Sequence, residues 1–279
     1  MSGHRLLDVS QPRLMAILNV TPDSFSDGGQ LYSNNKLDRD LSLAKVSEMI
    51  ADGADIIDIG GESTRPGAQP VTVQEELERV IPLLEIIAQH FDVAISVDTS
   101  SPEVMSAAAS AGAHLINDVR ALSRPGALSA AAKTGLQICL MHMQGQPTTM
   151  QNEPSYRNVV REVNSYLQQR VEACLQSGIE ADKLWLDPGF GFGKTLDHNI
   201  TLLRNLPAIT ALNFPLVVGF SRKSMIGGLL GRELADRLPG SLALALIALQ
   251  RGASVLRVHD VRATRDIIDT FMAIENVNA

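Results

Sequence analysis

Asp187 lies in the segment LDPGFGFGKT, directly after an apolar run. A carboxylate offers two acceptor oxygens, which match an amidine-like edge with two adjacent N–H donors. The glycines that follow Phe190 and Phe192 allow close approach of the backbone to a ligand, and the phenylalanines can flank a flat ring. Taken alone, the segment reads equally well as a Gly-rich turn behind a helix-capping Asp. Lys223, in GFSRKSMIG, precedes an expected helix start, where a surface cation is electrostatically unhelpful. That favours a role for it, either neutralising Asp187 or donating to a ligand carbonyl or ring nitrogen. Ser221 and Ser224, with the N–H groups of the helix start, suit a carboxylate.

Arg257 and His259 alternate along another apolar run, so they share a face. Near an open end they suit phosphate oxygens, with Arg binding in bidentate fashion. A salt bridge to Asp260 or another acid is the structural alternative. Asn19 offers a neutral oxygen to a hard cation, and a diphosphate brings Mg²⁺, which takes few protein ligands and keeps several waters. Asp98 and Asn117 add an acceptor and a donor–acceptor pair. His114 and His142 read as structural. Cys139, Met141 and Met143 read as core, with Met141 able to line a ring pocket.

These residues share one position in the pattern. Near-continuous apolar runs at 14–20, 55–60, 93–98, 114–119, 137–142, 183–187, 215–220 and 254–259 read as strands buried on both faces, as a parallel sheet requires. Asn19, Asp98, Asn117, His142, Asp187, the Ser221–Ser224 run and the Arg257/His259 pair lie at or just beyond their C-terminal ends. The second run leads into Glu62, Ser63, Thr64 and Arg65. One or two such polar residues would be satisfied structural groups, whereas so many at the same end indicate a shared site.

Helical patterns fill the gaps. Thr72 and Glu75 form a capping box, and Pro82 predicts a kink or an early stop in the helix that follows. Ser101 and Pro102 read as N-cap and first helical position, with Gly112 as the stop. Val160, Val163, Leu167, Val171 and Cys174 line a helix ending at Gly178. Eight strand–helix units without a composition break predict one (β/α)8 TIM barrel over 1–279, an α/β fold, with 1–13 preceding the first barrel strand. An open doubly wound sheet is the alternative, weakened by the absence of a G-x-G-x-x-G turn. Two long polar loops, 21–35 and 61–72, follow strands and so belong to the active-site face.

The 279 residues carry a net charge of -7, which argues against nucleic acid or an anionic membrane as partner. The two cysteines, Cys139 and Cys174, form no disulfide framework. The first residues lack the apolar core of a signal peptide, and the longest apolar stretch, 242–249, is too short to span a bilayer. A cytoplasmic enzyme is expected.

The chain resembles the dihydropteroate synthases over essentially its whole length. The matching segments are MAILNVTPDSFSDGG at 15–29, GADIIDIGGESTRPGA at 53–68, ISVDTS at 95–100 and HLINDVRAL at 114–122. LMHMQGQPTTMQ at 140–151, LDPGFGFGKT at 186–195, VGFSRKSMIG at 218–227 and RVHDV at 257–261 continue the match. The resemblance implies condensation of 4-aminobenzoate with a dihydropterin-methyl diphosphate, releasing pyrophosphate, in folate biosynthesis. It implies that Asp98, Asn117, Asp187 and Lys223 hold the pterin, with Asp98, Asp187 and Lys223 acting in catalysis. Arg257, Val258, His259 and Thr64 would bind the diphosphate end, and Asn19 would ligate Mg²⁺. Phe25, Ser63, Thr64, Arg65, Pro66, Phe192 and Ser224 would shape the aminobenzoate pocket. The resemblance also implies a homodimer, for which the apolar run 241–252 is one candidate interface, and a target for sulfonamides. A folate-dependent methyltransferase needs a methyl acceptor and no diphosphate site, so loop 21–35 and the Arg257/His259 pair argue against it. A pterin-binding scaffold would not need Asp187, Lys223 and Arg257 together.

Overall fold

The computed structural model describes residues 7–21, 32–33, 36–63 and 71–275. The elements run β1 (Arg13–Asn19), β2 (Tyr32–Ser33), β3 (Lys36–Leu37), α1 (Arg39–Ala51), β4 (Ile56–Gly60), α2 (Val73–His90) and β5 (Ala94–Asp98). Next come α3 (Pro102–Ala111), β6 (Leu115–Asp118), α4 (Ala127–Thr134), β7 (Gln137–Met141), α5 (Val159–Gln176), β8 (Leu184–Asp187) and α6 (Leu196–Arg204). The chain ends with α7 (Pro207–Thr210), β9 (Val217–Val218), α8 (Ser224–Leu230), α9 (Leu238–Leu249), β10 (Val255–Val258) and α10 (Val261–Glu275).

Eight strands form one parallel sheet in the order β8-β7-β6-β5-β4-β1-β10-β9. A parallel bridge between Leu186 and Leu216, and the Leu186 N–H donating to the Pro215 carbonyl at 2.9 Å, join its two edges. The sheet is therefore the expected (β/α)8 barrel, while β2 and β3 form a separate small antiparallel pair.

Strand alternation sorts the side chains into two shells. Leu14, Ala16, Leu18, Ile57, Ile59, Ile95, Val97, Ile116, Ile138, Leu140, Leu184, Leu186, Leu256 and Val258 face outward and form the large core with the helices. Met15, Ile56, Leu115, Cys139, Trp185, Val217 and Val255 face inward and fill the lower barrel as a second cluster. Two residues further along each strand, the inward positions become Ile17, Asp58, Asn117, Met141, Asp187, Gly219 and Arg257. The barrel is therefore apolar at its base and polar at its C-terminal mouth.

The helix signals hold with two differences. Glu75 and Thr72 do form the capping box, with Glu75 N donating to Thr72 Oγ1 at 3.2 Å and Thr72 N to Glu75 Oε2 at 2.9 Å. Pro82 does not stop α2, which continues to His90. Pro82 and Glu78 both lie on the exposed face, so water can satisfy the carbonyl that lost its N–H partner, while Val80, Leu83, Leu84 and Ile87 hold the buried face. Ser101 occupies the N-cap of α3 without a capping bond, because its hydroxyl donates to Glu76 Oε2 at 2.7 Å. Gly112 ends α3 in the left-handed region, φ 106°. α5 buries Val159, Val163, Leu167, Val171 and Cys174 and stops at Ser177, next to Gly178.

The opposite, N-terminal end is tied by Asp55. It accepts from Leu14 N at 2.7 Å, and pairs with Arg13 at 3.5 Å and with Arg265 of α10. Asp55→Ala would leave the Leu14 N–H and two cations without this partner, on the face remote from the barrel mouth. It should cost about 1–3 kcal/mol in urea unfolding. Turnover per folded molecule should be unchanged, and a loss of turnover at full folding would contradict this division of the barrel.

Candidate active site

The barrel mouth gathers the inward polar residues into one cavity, lined by Asp98, Asn117, Asp187, Lys223, Arg257 and His259, with Ile17, Val119, Met141, Phe192, Gly219 and Ser221 between them. Its base is a buried ion cluster. Arg257 Nε donates to Asp58 Oδ2 at 2.7 Å, and Arg257 Nη2 donates to Asp98 Oδ2 at 2.8 Å. Asn117 Nδ2 donates to the same Asp58 oxygen at 3.2 Å. Asp58 is fully buried, and its Oδ1 has no partner among the described residues. Burial works against the Arg257 cation, but Asp58 and Asp98 outweigh it and the net shift of its pKa is upward. Burial pushes the Asp98 carboxyl up, Arg257 pulls it back, and Asp58 pushes it up again.

Arg257 therefore pairs with acids other than Asp260, which belongs to Arg222 through Arg222 Nε at 3.0 Å. Ser221 is not an open carboxylate ligand, because its Oγ is shared by the His259 N–H at 3.2 Å and His259 Nδ1 at 3.0 Å. Ser224 is the exposed first residue of α8 and does not line the cavity. Val258 faces outward among core residues, so only its backbone can meet a ligand. Ser63 is half-buried beyond β4. Phe25, Thr64, Arg65 and Pro66, and most of loops 21–35 and 61–72, lie outside the described residues.

Asp187 ends β8 and is buried; its Oδ1 accepts from Gly189 N at 2.7 Å. Burial pushes its pKa up, with Lys223 pulling it down. The Lys223 ammonium donates to the Phe190 carbonyl and lies 4.8 Å from the centre of the Phe192 ring. Burial lowers its pKa to about 8, against the pull of Asp187. Phe190 does not flank the cavity, because its ring packs in the core against Phe220 at 4.5 Å between centres; Phe192 alone of the two lines the mouth. The glycines of this loop serve the protein's own packing. A Cβ on Gly189 would fall 1.9 Å from the His142 carbonyl, and one on Gly193 2.4 Å from that of Gln144, and both residues have positive φ.

Sequence reasoning missed Asp58, although it breaks an apolar strand just as Asp98 does. It also missed Lys194, which is 3% exposed and donates to the carbonyls of Gly189 at 2.8 Å and Phe192 at 3.1 Å. A further buried network roots the second loop: Arg120 reaches Glu62 at 3.2 Å and Ser100 Oγ at 3.0 Å, while Ser100 donates to Asp118. No local signal marks these partnerships, which join separate strands.

Asn19 ends β1 in register with Gly60, which is itself in register with Asp98. A Cβ on Gly60 would come within 3.4 Å of Asn19 Oδ1 and 3.8 Å of Asp98 Oδ2, so this glycine keeps the space between the two oxygens clear. Among the described residues no cluster of three His, Cys, Asp or Glu residues could hold a metal by itself. The donor set fits a cation that arrives with a diphosphate and keeps most of its waters.

A barrel whose C-terminal mouth presents paired carboxylates, an amide and two cations defines an enzyme that holds a polar heterocycle with an anionic substituent. The family model described as "Pterin binding enzyme" matches residues 15–259. The chain is 57% identical over 274 residues to the dihydropteroate synthase of Escherichia coli (strain K12), covering 97% of this chain and 95% of that one. A Yersinia pestis dihydropteroate synthase solved as a sulfonamide drug complex superposes with a TM-score of 0.92 at 52% identity, covering 97% of each chain. A Xanthomonas albilineans dihydropteroate synthase with 4-aminobenzoic acid gives 0.89 at 47%, covering 98% of this chain and 96% of that one. The chain belongs to the dihydropteroate synthases.

The Lys223 titration is a direct check on the electrostatics. In the unliganded protein its proton should leave near pH 8, read by NMR of the lysine side chain. Asp187→Asn removes the charge that holds this proton and should lower the value further; a rise would contradict the assignment. Because the folded value lies below the ordinary 10.5, the unfolded chain holds the proton more tightly between the two. This group therefore makes stability rise with pH across that window.

Proposed function

We propose that the chain condenses 4-aminobenzoate with (7,8-dihydropterin-6-yl)methyl diphosphate to give 7,8-dihydropteroate and pyrophosphate, a step of folate biosynthesis. Membership of the family supports this reaction, and the arrangement of Asp187, Asn117 and Lys223 at the mouth carries the residue roles. Asn117 commits its N–H₂ group to Asp58, which leaves its amide oxygen as the acceptor it can offer a ligand. Asp187 spends one oxygen on Gly189 N and keeps the other for a ligand. Together they match the N–H edge of a pterin, and Lys223 supplies the donor that a pterin carbonyl or ring nitrogen needs.

The diphosphate end of the substrate lies toward Arg257 and His259, with the Val258 backbone between them. Phe192, beside Lys223 at the mouth, is assigned to the aminobenzoate pocket. Ser63, Thr64, Arg65, Pro66, Phe25 and Ser224 are assigned to the aminobenzoate side on family resemblance. Mg²⁺, held at Asn19, would neutralise charge on the departing pyrophosphate. Asp98 stands where positive charge builds on the pterin methylene as the C–O bond breaks. Burial pushes its carboxyl up while Arg257 pulls it down, and in its ionised form it would stabilise that charge and lower the barrier electrostatically. The arylamine attacks as the free base, so no strong general base is required.

No helix among the described residues is long and apolar enough to cross a membrane. We assign the enzyme to the cytoplasm and read it as a homodimer open to sulfonamides.

The deciding assay follows pyrophosphate release from the pterin diphosphate with Mg²⁺, with and without 4-aminobenzoate, and dihydropteroate formation by mass. Coupled release is expected, and pterin binding without release would overturn the reading. Asp187→Asn should weaken pterin binding by about 100-fold, the usual scale for losing a buried charge-assisted contact, with little change in Tm. Unchanged turnover in that variant would remove Asp187 from its role.

A further inference from the structure

The Gly-rich loop after β8 has an unusual distribution of hydrogen bonds. Its five carbonyls from Gly189 to Gly193 each accept from a side chain. Lys194 Nζ donates to Gly189 and Phe192, Lys223 to Phe190, Gln151 Nε2 to Gly191 at 2.6 Å, and the Tyr156 hydroxyl to Gly193 at 2.8 Å. A third direction of Lys194 Nζ meets His142 Nδ1 at 2.9 Å. An ammonium has three donors and no acceptor, so these three neighbours saturate it. The two lysines hold different carbonyls of the loop. Lys194 is buried and is not among the residues lining the cavity, whereas Lys223, at the start of α8, lines it.

We propose that Lys194 is a positioning residue for the reaction: by pinning the Gly189 and Phe192 carbonyls it fixes the Phe190 carbonyl between them, and through it the Lys223 ammonium opposite Asp187. Tyr156, at Gly193, is the lesser tether of the same loop. Burying a lysine is costly unless it is fully hydrogen-bonded, and burial does pull the Lys194 pKa well down, against Asp187. The same surroundings, with burial foremost, lower the His142 pKa to about 3, so its ring is neutral and able to accept. The protein meets this cost at a group that touches no ligand, which is intelligible if the loop's shape sets the pterin site. The inference rests on the reading that Asp187 and Lys223 hold the pterin.

The test is binding of the pterin diphosphate by calorimetry, set beside the KM for 4-aminobenzoate at saturating pterin diphosphate. Lys194→Met should weaken pterin diphosphate binding by about 10-fold or more, on the scale of displaced polar contacts, while the aminobenzoate KM moves by less than about 3-fold. In Lys194→Ala, n-propylammonium replaces the atoms removed and should restore pterin affinity saturably, which a general loss of packing would not allow. Tyr156→Phe removes a single hydroxyl from a half-buried site and should weaken pterin binding by about 3-fold. This variant keeps the test open if the Lys194 variants do not fold. Unchanged pterin affinity in folded Lys194→Met, or in Tyr156→Phe, overturns the inference, as does equal weakening of both substrates without amine rescue. Asp187→Asn separates the two levels. If it loses pterin while Lys194→Met keeps it, the inference alone fails; if both keep it, the reading beneath it fails.

Discussion

The interior of an eight-stranded parallel barrel is just wide enough to be filled by the side chains of its own strands. That constraint governs this molecule. Each strand sends every second residue inward, so one choice per strand fills the base with Met15, Ile56, Leu115, Cys139, Trp185, Val217 or Val255. The next choice, about 7 Å higher along the strand, furnishes the mouth with Asp58, Asn117, Asp187 and Arg257. The site is not laid onto the fold. It is the upper layer of the same packing problem that closes the barrel, and its residues are held by neighbours in register across the sheet.

Charges in that layer must be compensated where they stand, because a low-dielectric interior makes an unpaired ion far costlier than it would be in water. Arg257 sits between Asp58 and Asp98, and Asn117 takes up a further lone pair of Asp58. The arrangement fixes polarity as well as position. It fixes which end of the Asn117 amide Asp58 takes and keeps the Arg257 cation charged throughout the working pH range. The electrostatic environment is therefore in place before any substrate arrives.

Much of this was legible in the sequence because alternation and burial are local rules. The apolar runs gave the strands, and polar residues at their ends marked Asp98, Asn117, Asp187, Arg257 and His259. The structure shortens the seventh and eighth barrel strands to Val217–Val218 and Val255–Val258 without moving those residues from the mouth. The misses share a cause. Asp58 lies two residues before the end of β4, so a pattern of polar strand ends does not include it. Lys194 stands beside a loop in which Gly193, read as room for a ligand, makes room for the Gln144 carbonyl, while Gly191 lies against the cavity-lining Lys223 side chain. Phe190 was read as a ring contact but turns into the core. Pro82 follows a local rule that the exposed face of α2 allows the helix to escape. For Asp58, Lys194 and Phe190 a partner, respectively Arg257, the His142 ring and Phe220, lies on a separate part of the fold, and spacing along the chain does not report it.

His142 closes β7 between Lys194 and the edge of the Tyr166 ring, whose centre lies 5.0 Å away. Burial and the neighbouring ammonium hold its ring neutral far below the ordinary 6.5. Most histidine resonances drift as pH is changed around neutrality, since that is where the imidazole titrates. Its ring stays neutral across that range, so changes in its chemical shift come from its neighbours, Lys194 and the two tyrosines, rather than from a proton of its own. The fold thus carries a native NMR reporter beneath its Gly-rich loop, one that follows the loop and the ammonium that tethers it.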